Sequence, residues 1–391
     1  MRILFTFAGG SGHFNPLVPI ARAAQAVGHT VAFAGQHAMQ AAISAAGFEA
    51  FATGKPPSAP PPRSPLTKVD SAREDRVLHD GFADRLARGH AAATLALCGT
   101  WHPDLIVCDE VDFGAMMAAE QFGIPYATVL VIAEGSFVRP DLISPPLNAI
   151  RAELGLPPDP DLVMLHRYLA LAPAPLSYRN PAYPLPATAH LLHPLPPDPS
   201  ADLSLPAWAA TLPPAPTVYF TLGTVFGLES GDLFERVLAG LRALPINVIA
   251  TVGRDLDPAD FGAQPDHIHI AQYIPQAAIL PLCHASITHG GSGSVLGALA
   301  HGLPLVLIPM GADQPQNAAR CVALGVGRVL DAIDATPETV RATVMQVLDD
   351  PAYRTAARRV AAEIADLPPP SVAVQLLERL GAEKRPIMGR A

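Results

Sequence analysis

Residues 285–314, ASITHGGSGSVLGALAHGLPLVLIPMGADQ, constrain the fold of this chain more than any other stretch. They predict a short apolar strand that ends at His289, a glycine-rich turn, and a helix that begins near Ser294 and ends at Gly302. A second apolar strand follows over residues 305–308. Strand, turn, helix and strand in this order make one crossover unit of a parallel sheet.

The turn after the first of these strands suits a phosphate group. Its glycines, Gly290, Gly291 and Gly293, let backbone N–H groups approach a ligand closely. The helix start adds unpaired donors and a partial positive charge. Asp313 and Gln314 follow the next strand, and in an open α/β sheet such side chains face the same crevice. We therefore predict a nucleotide-sugar site here.

Length and composition limit the class of protein. The chain has 391 residues, 50% hydrophobic and 16% charged, which predicts two globular domains. A net charge of -9 without a basic cluster argues against nucleic acid or an anionic membrane surface as a partner. No apolar run suits a signal peptide or a membrane span, so we expect a cytoplasmic protein. Cys98, Cys108, Cys283 and Cys321 lack metal-ligand spacing and are predicted to be buried thiols.

Strands and helices alternate through most of the chain. Strands are predicted over 3–7, 30–34, 48–51, 105–108 and 126–131, and helices over 16–28, 38–46, 80–98 and 113–122. The middle, 140–216, is crowded with prolines and irregular, and it predicts acceptor-side loops and helices up to about residue 191. We therefore predict two doubly wound, Rossmann-like α/β domains, 1–192 and 217–370, joined by a linker over 193–216. Residues 371–391 would form a helix and tail, for which we consider packing back onto the first domain.

The loop after the first strand distinguishes between two kinds of nucleotide chemistry. Gly10 and Gly12 begin a dinucleotide-binding pattern, but Asn15 stands where the third glycine is needed. The second strand ends at Ala34-Gly35-Gln36, without the acid that holds a ribose diol. A nicotinamide or flavin cofactor is therefore disfavoured, and what remains distinctive in this loop is His13.

Several segments resemble one family. GGSGHFNPLVPIARA near the start, PDLIVCDE, TLGT, YIPQ and HGGSGSVLGALAHGLPLVLIPMGADQPQNA look like the family 1 glycosyltransferases of GT-B fold, particularly those of bacterial natural-product pathways. The resemblance runs through nearly the whole chain in the right order and is most specific over 289–317. It implies two Rossmann-like domains facing each other across a cleft, the first binding an acceptor and the second a nucleotide-sugar.

The resemblance also implies a mechanism. In the family a histidine at the position of His13 is the general base, and a carboxylate at the position of Asp109 orients it. Such enzymes invert the anomeric centre, as an acceptor hydroxyl attacks and the nucleotide diphosphate leaves. A positioned base contributes about 10²- to 10⁴-fold. The residues alone leave alternatives, because Asp109 also suits a helix cap, and Glu110 or Asp112 equally suits the orienting role.

A donor site that needs no metal ion or other cofactor is implied as well. The diphosphate would be held by His289, by backbone N–H groups at the helix start and by the Thr224 hydroxyl. Tyr273 would stack on the base, although it equally suits core packing, and Thr224 equally suits a turn cap. The predicted donor-binding residues are Gly12, Thr224, Tyr273, Ile274, Gln276, His289, Gly291, Ser292, Gly293, Ser294, and Asp313 with Gln314, which would bond the sugar hydroxyls.

Two short motifs spell the DxD of metal-dependent glycosyltransferases. They are Asp159-Pro160-Asp161 and Asp255-Leu256-Asp257. Both lie in proline-containing loops outside this architecture, and we interpret them as solvated turns.

One position departs from the family pattern. Many members, especially those using UDP-sugars, carry a glutamate in the helix after the HGG turn, where it bonds both ribose hydroxyls. Gly297 stands there in this chain. A 2′-deoxyribose has less need of that bond, so we favour a dTDP-activated sugar, a deoxyhexose, over a UDP-sugar.

The acceptor is the least determined part of the prediction. We expect an apolar natural-product aglycone, bound by the 54–80 loop and by residues 134–143, including Phe137, Leu142 and Ile143. Attack through oxygen or carbon is left open, and so is the oligomeric state, with a homodimer as one option. The favoured function is an inverting glycosyltransferase; the alternatives are a sugar-nucleotide epimerase of GT-B fold and a non-catalytic sugar-nucleotide-binding or partner-activating protein.

Overall fold

The structure is a computed structural model that describes residues 1–54, 64–194, 205–223, 229–253 and 256–389. The chain divides into two compact units. Unit 1 comprises Met1–Ala59, Ser71–Asp198 and Leu367–Ala391, and unit 2 comprises Pro60–Asp70 and Pro199–Asp366. Each is built on a parallel β-sheet with helical crossovers, which confirms the predicted α/β fold class. Of the predicted linker, the described part is 193–194 and 205–216.

The sheet of unit 1 is parallel throughout. Its strands are β1 (Arg2–Thr6), β2 (Thr30–Gln36), β3 (Glu49–Thr53), β4 (Leu105–Asp109), β5 (Tyr126–Val129), β6 (Leu169–Ala172) and β7 (Ala189–Leu191). In the described residues they lie in the order β3-β2-β1-β4-β5-β6-β7. The winding direction reverses between β1 and β4, and such a switch point is where open α/β sheets bind ligands.

The helices of unit 1 include α6, which has the predicted bounds, and others that begin elsewhere than predicted. They are α1 (Ser11–Phe14), α2 (Val18–Ala26), α3 (Gln40–Ala45), α4 (Ser71–Arg76), α5 (Ala87–Thr100), α6 (Phe113–Phe122) and α7 (Pro140–Glu153). The stretch predicted as a loop before residue 16 already contains the single turn α1. A π-helical stretch, Val77–Leu86, joins α4 to α5, so the helical run begins well before residue 80.

Loops and helices were predicted for the proline-rich middle, and the structure adds two strands there. Helix α7 continues through Pro145 and Pro146, and β6 and β7 extend the sheet beyond it. Prolines inside a helix remove backbone hydrogen bonds. Here Ile143, Leu147 and Ile150 lie in the core along the same helix, and this burial offsets the loss.

Unit 2 repeats the same plan. Its strands are β8 (Thr217–Thr221), β9 (Asn247–Thr251), β10 (Ile268–Ala271), β11 (Ala285–Thr288), β12 (Leu305–Leu307) and β13 (Gly327–Val329). In its described residues they lie in the order β10-β9-β8-β11-β12-β13, all parallel, so β8 and β11 flank the switch point. Its helices are α8 (Leu233–Leu241), α9 (Gln276–Ile279), α10 (Ser292–Ala300), α11 (Gln314–Ala323), α12 (Pro337–Asp349) and α13 (Pro351–Ala365).

The last helix, α14 (Pro370–Glu383), belongs to unit 1. Its apolar side chains Ala373, Val374, Leu377 and Leu380 are buried in the core that surrounds β1 and α2. The chain therefore returns to the unit in which it began.

Two further predictions concern the burial of the cysteines and the absence of a membrane span. All four cysteines are buried free thiols, as predicted. Within the residues that the structure describes, no helix is long and apolar enough to cross a membrane.

Candidate active site

His13 and Asp109 meet at the switch point of unit 1, after β1 and at the end of β4. His13 Nδ1 lies 2.7 Å from Asp109 Oδ2, although the two residues are 96 positions apart. The Asp109 side chain is 0% exposed and the His13 side chain 22%. Asp109 also accepts the N–H groups of Ala8 and Val111. Burial raises the pKa of Asp109, and the neighbouring His13 ring opposes that rise.

Two neighbours that sequence reasoning missed hold the His13 ring. Gly9 has φ +149°, and a Cβ there would lie 2.3 Å from His13 Cδ2. Only glycine combines that backbone angle with so close an approach. The ring of Phe82 lies 6.0 Å from the His13 ring, centroid to centroid. The side chain is thus confined by backbone on one side and contacted by an aromatic ring.

The other two candidate carboxylates have different partners. Glu110 Oε1 accepts the N–H of Ile132, and burial raises the pKa of Glu110 to about 8, which keeps this carboxyl protonated at neutral pH. Asp112 caps α6 by accepting the N–H of Ala115 at 3.2 Å. Of the three, Asp109 is the one with an oxygen at hydrogen-bonding distance from His13 Nδ1.

In unit 2 the glycine-rich turn follows β11. Helix α10 begins at Ser292, two residues before the predicted start, so Gly293 and Ser294 lie within its first turn. Gly290 has φ +94°, and Gly291 is the residue before the helix, with no side chain capping its first N–H groups. The backbone donors of a helix start of this kind suit an anion.

The ring of His289 is enclosed by glycines. A Cβ at Gly223 would lie 2.5 Å from His289 Cε1, and a Cβ at Gly291 would lie 2.6 Å from Nε2. Burial lowers the pKa of His289 to about 4. The imidazole is therefore neutral at physiological pH and offers a ring N–H without a charge. Thr224, which follows Gly223, lies outside the described residues.

Asp313 and Gln314 take different positions. Asp313 Oδ2 accepts from the Ser292 hydroxyl at 2.9 Å and from Asn317 Nδ2 at 2.8 Å. Asn317 also donates to the carbonyl of Gly290, which ties the turn to α11. Gln314 is only 2% exposed, and its Oε1 accepts the N–H of Met310 at 2.7 Å. Asn317 was missed by sequence reasoning, and Gln314 is placed in the interior rather than on an open surface.

The remaining predicted donor residues surround α9 and α10. Tyr273 is 62% exposed, which excludes the alternative of core packing in this structure, and Ile274 is buried. A Cβ at Gly297 would lie 3.5 Å from Gln276 Oε1, an ordinary contact. In unit 1, a Cβ at Gly12 would meet nothing within 4 Å.

The predicted acceptor residues are mostly interior. Ile143 is 0% exposed and Phe137 is 8% exposed, and both belong to the core of unit 1, whereas Leu142 is partly buried against it. As placed, Ile143 offers no surface to an acceptor. Residues 55–63 of the predicted acceptor loop lie outside the described residues.

The interpretation of the first DxD motif as a solvated turn was wrong for Asp159, whereas Pro160 and Asp161 are exposed. Asp159 is 6% exposed and accepts the N–H groups of Val163 and Met164, so its side chain caps this turn from the interior. Asp257 accepts the N–H of Ala259, and Asp255 lies outside the described residues. In the part of the chain that is described, no group of three or more histidine, cysteine or acidic side chains is arranged to hold a metal ion.

Comparison with known proteins identifies the family. A family profile described as the C-terminal domain of erythromycin biosynthesis protein CIII-like proteins matches residues 235–380. The L-demethylnoviosyl transferase of Streptomyces niveus is 30% identical over 98% of this chain and 99% of its own length. The chain belongs to the antibiotic glycosyltransferases of GT-B type.

Further relatives agree with this assignment. Aklavinone 7-beta-L-rhodosaminyltransferase of Streptomyces galilaeus is 28% identical to this glycosyltransferase, over 98% of this chain and 97% of its own. The crystal structure of the glycosyltransferase SnogD from Streptomyces nogalater matches with a TM-score of 0.73 and 27% identity, over 97% of this chain and 99% of its own. The enzyme is therefore a nucleotide-sugar-dependent transferase.

The residues of this glycosyltransferase that sequence reasoning missed share one property. Gly9, Gly223, Phe82 and Asn317 each act by contact with a residue that had been predicted. Gly9 and Gly223 carried a signal, since each stands just after an apolar strand, where glycine permits close approach. Phe82 and Asn317 carried none, because their partners are set by tertiary packing.

Proposed function

We propose that this glycosyltransferase moves a sugar from a nucleotide diphosphate donor to a hydroxyl of an apolar natural-product aglycone, with inversion at the anomeric carbon. The oxygen of the acceptor forms a bond to C1 of the sugar as the bond from C1 to the diphosphate oxygen breaks. The proton of the hydroxyl passes to His13, and the nucleoside diphosphate leaves with the bonding electron pair.

The contact between His13 and Asp109 is the observation that carries this proposal. With Nδ1–H donating to Asp109, the second ring nitrogen, Nε2, is the basic one and takes the proton of the acceptor. A buried carboxylate fixes this tautomer and stabilises the imidazolium that forms. An alcohol is a weak nucleophile, and such a base contributes about 10²- to 10⁴-fold to its attack.

The second part of the proposal concerns how the diphosphate leaving group is stabilised. The start of α10 presents backbone N–H groups at Gly291 and Ser292, and His289 lies beside them as a neutral donor. Donors aimed at the diphosphate stabilise the negative charge that develops as the bond breaks. We propose that they do so in place of a metal ion, so that transfer persists in the presence of EDTA.

A dTDP-activated deoxyhexose is the donor that we favour. The support is Gly297, which lacks the carboxylate that would bond both ribose hydroxyls. The relatives are named for demethylnoviosyl and rhodosaminyl transfer, and we extend a specialised sugar of that kind to this chain. Calorimetry with dTDP and UDP tests the preference, and tighter binding of UDP would contradict it.

For the acceptor we propose an aromatic or polyketide-like aglycone. The support is the names of relatives, one of which acts on aklavinone; Phe137 and Ile143 lie in the core and do not add to it. A mass-spectrometric screen of dTDP- and UDP-sugars against aromatic and macrocyclic aglycones would identify the pair of substrates.

Replacement of His13 by alanine tests the role of the base with the pair so identified. We expect transfer to fall by about 10²- to 10⁴-fold while dTDP binding stays unchanged, because the predicted donor site lies in unit 2. Asp109→Asn should also lower kcat, since an amide does not stabilise the imidazolium. Unchanged transfer by His13→Ala would refute the assignment of the base.

A further inference from the structure

A second histidine and aspartate pair is buried in unit 1, outside the chemistry proposed above. His90 Nδ1 lies 3.1 Å from Asp112 Oδ1, with the two side chains 3% and 0% exposed. His90 Nε2 lies 3.0 Å from the hydroxyl of Thr53, at the end of β3. Both ring nitrogens of His90 therefore have a polar neighbour in the interior.

The fold brings these residues together through a very close helix contact. A Cβ at Gly114, in α6, would lie 2.2 Å from the carbonyl oxygen of Ala87 and 2.9 Å from Cβ of His90, both in α5. Only glycine permits the two helices to approach so closely. Because Asp112 caps α6 immediately before Gly114, this contact sets His90 against the Asp112 carboxylate.

The charges of the pair favour its ionised form. Burial alone would lower the pKa of His90, but the carboxylates of Asp112 and Asp109 together outweigh burial and raise it. Burial alone would likewise raise the pKa of Asp112, but His90 brings it below its ordinary value. An unpaired buried charge is costly, whereas a buried ion pair compensates itself.

This pair also interacts with the residue that contacts His13. Asp109 and Asp112 are both buried carboxylates on one turn of the chain, in which the N–H of Asp112 donates to the carbonyl of Asp109 at 3.2 Å. At this close approach the charge of Asp112 raises the pKa of Asp109. Asp109 in turn contributes to the raised pKa of His90. The positive charge of His90 thus offsets the repulsion between the two carboxylates.

We propose that His90, paired with Asp112, is a positioning residue that compensates the buried charge of Asp112 and so limits the basicity of the His13–Asp109 pair. This inference rests on the proposed function of His13. It assigns to a buried histidine on α5 an effect on the reaction, although His90 touches neither sugar nor acceptor.

The charged and titratable groups around His13, Asp109 and Asp112 determine whether the pKa of His13 rises or falls when His90 is removed. They are His13 after β1, Cys108, Asp109 and Glu110 around the end of β4, Asp112 before α6, and Arg179 beside Glu110. Burial raises the pKa of both Cys108 and Glu110, so neither carries a charge at neutral pH. Without His90, two buried carboxylates would lack their compensating cation. The His13 ring lies against Asp109 and is 22% exposed to solvent, so it is the group that would take up the proton.

Replacing His90 by glutamine tests this. In His90→Gln we expect the pKa of His13, followed by NMR of ¹³C-labelled histidine and assigned with His13→Gln, to rise by about one unit. The acid limb of the kcat/KM profile should move with it, so that kcat/KM at pH 6 falls roughly ten-fold while the plateau at high pH is retained. A role in folding alone would not move the titration of His13.

Two further variants separate charge from structure. His90→Gln combined with Asp112→Asn removes both charges and keeps a capping side chain on α6, so the titration of His13 should return close to that of the wild type. Thr94→Val is a neutral, isosteric change at another buried position of α5 and should leave the titration unchanged. An unmoved His13 titration in the single variant, or no recovery in the double variant, would overturn the proposal.

A measurement on the unmodified protein covers the case in which the variants do not fold. The ¹⁵N spectrum of His90 should show both ring nitrogens protonated at pH 7.5, and a neutral His90 would overturn the inference. Failure of the role of His90 can be distinguished from failure of the proposed function. If His13→Ala retains full transfer, the base is misassigned even where His90 shifts the titration of His13. If His13→Ala is inactive and His90→Gln shifts nothing, only the role of His90 fails.

Discussion

At the scale of single residues, the candidate site depends on glycines that place histidine rings. Gly9 lies against His13, and Gly223 and Gly291 lie against His289. Each histidine follows the strand next to its switch point. The sheet therefore positions the backbone of the histidine, and the glycines position its ring. The two rings differ in charge behaviour. His13 has a carboxylate partner, whereas burial lowers the pKa of His289 to about 4.

Gly9→Ala is predicted to impair catalysis more than folding. The added Cβ would lie 2.3 Å from His13 Cδ2 at a backbone angle that alanine rarely adopts, so His13 would move away from Asp109. A displaced base costs about 10- to 100-fold in kcat, measured with the identified substrate pair. Gly99→Ala is the matched control, because a Cβ there meets nothing within 4 Å. Wild-type kcat in Gly9→Ala would show that Gly9 does not confine the base.

At the scale of elements, the proposed function assigns two roles to α10, phosphate binding and nucleotide choice. Its first turn would supply backbone donors to the diphosphate, whereas Gly297, which has no side chain, lies about one turn further along the same helix. The start of α10 was predicted to within two residues, because the turn glycines are a local signal. By contrast, β6 and β7 were missed, since their parallel pairing joins residues distant in the chain and is not a local property.

Gly297→Glu is predicted to raise the affinity for UDP relative to dTDP. A carboxylate at this position would bond the two ribose hydroxyls of UDP, whereas dTDP offers one, and one charged hydrogen bond corresponds to roughly 10-fold in binding. There is room for a side chain, since the nearest atoms to a Cβ are 3.5 Å and 3.6 Å away. Gly297→Ala should leave the ratio of the two dissociation constants unchanged, as measured by calorimetry. If Gly297→Glu left the ratio of the two dissociation constants unchanged, Gly297 would no longer support dTDP as the nucleotide of the donor.

At the scale of the whole molecule, the chain forms two units and closes the first with its last helix. Leu377, Leu380 and Val374 of α14 lie in the core formed around β1 and α2. The stability of unit 1 therefore depends on residues that follow unit 2 in the sequence.

Leu377→Ala is predicted to destabilise unit 1 selectively. Truncation of a fully buried leucine costs about 2–5 kcal/mol. The two tryptophans report on the units separately, since Trp101 is buried in unit 1 and Trp208 stacks on His269 in unit 2. Trp208→Phe and Trp101→Phe backgrounds would isolate each signal during thermal unfolding. The midpoint temperature of the transition reported by Trp101 should fall, and that of the transition reported by Trp208 should not. Gln375→Ala, at an exposed position of the same helix, should change neither.

The sequence by itself determined the local pieces of this protein. Apolar runs, turn glycines and their order specify parallel α/β units, and the family motifs locate His13, Asp109 and the turn at His289. These signals are readable because strands, turns and helix starts depend on residues close in the chain. Tertiary structure alone decided the partners: Asp109 rather than Glu110 or Asp112 for His13, Asn317 for Asp313, and His90 for Asp112. Strand order and the close contact of α5 with α6 bring these side chains together, and neither is encoded within any single stretch of sequence.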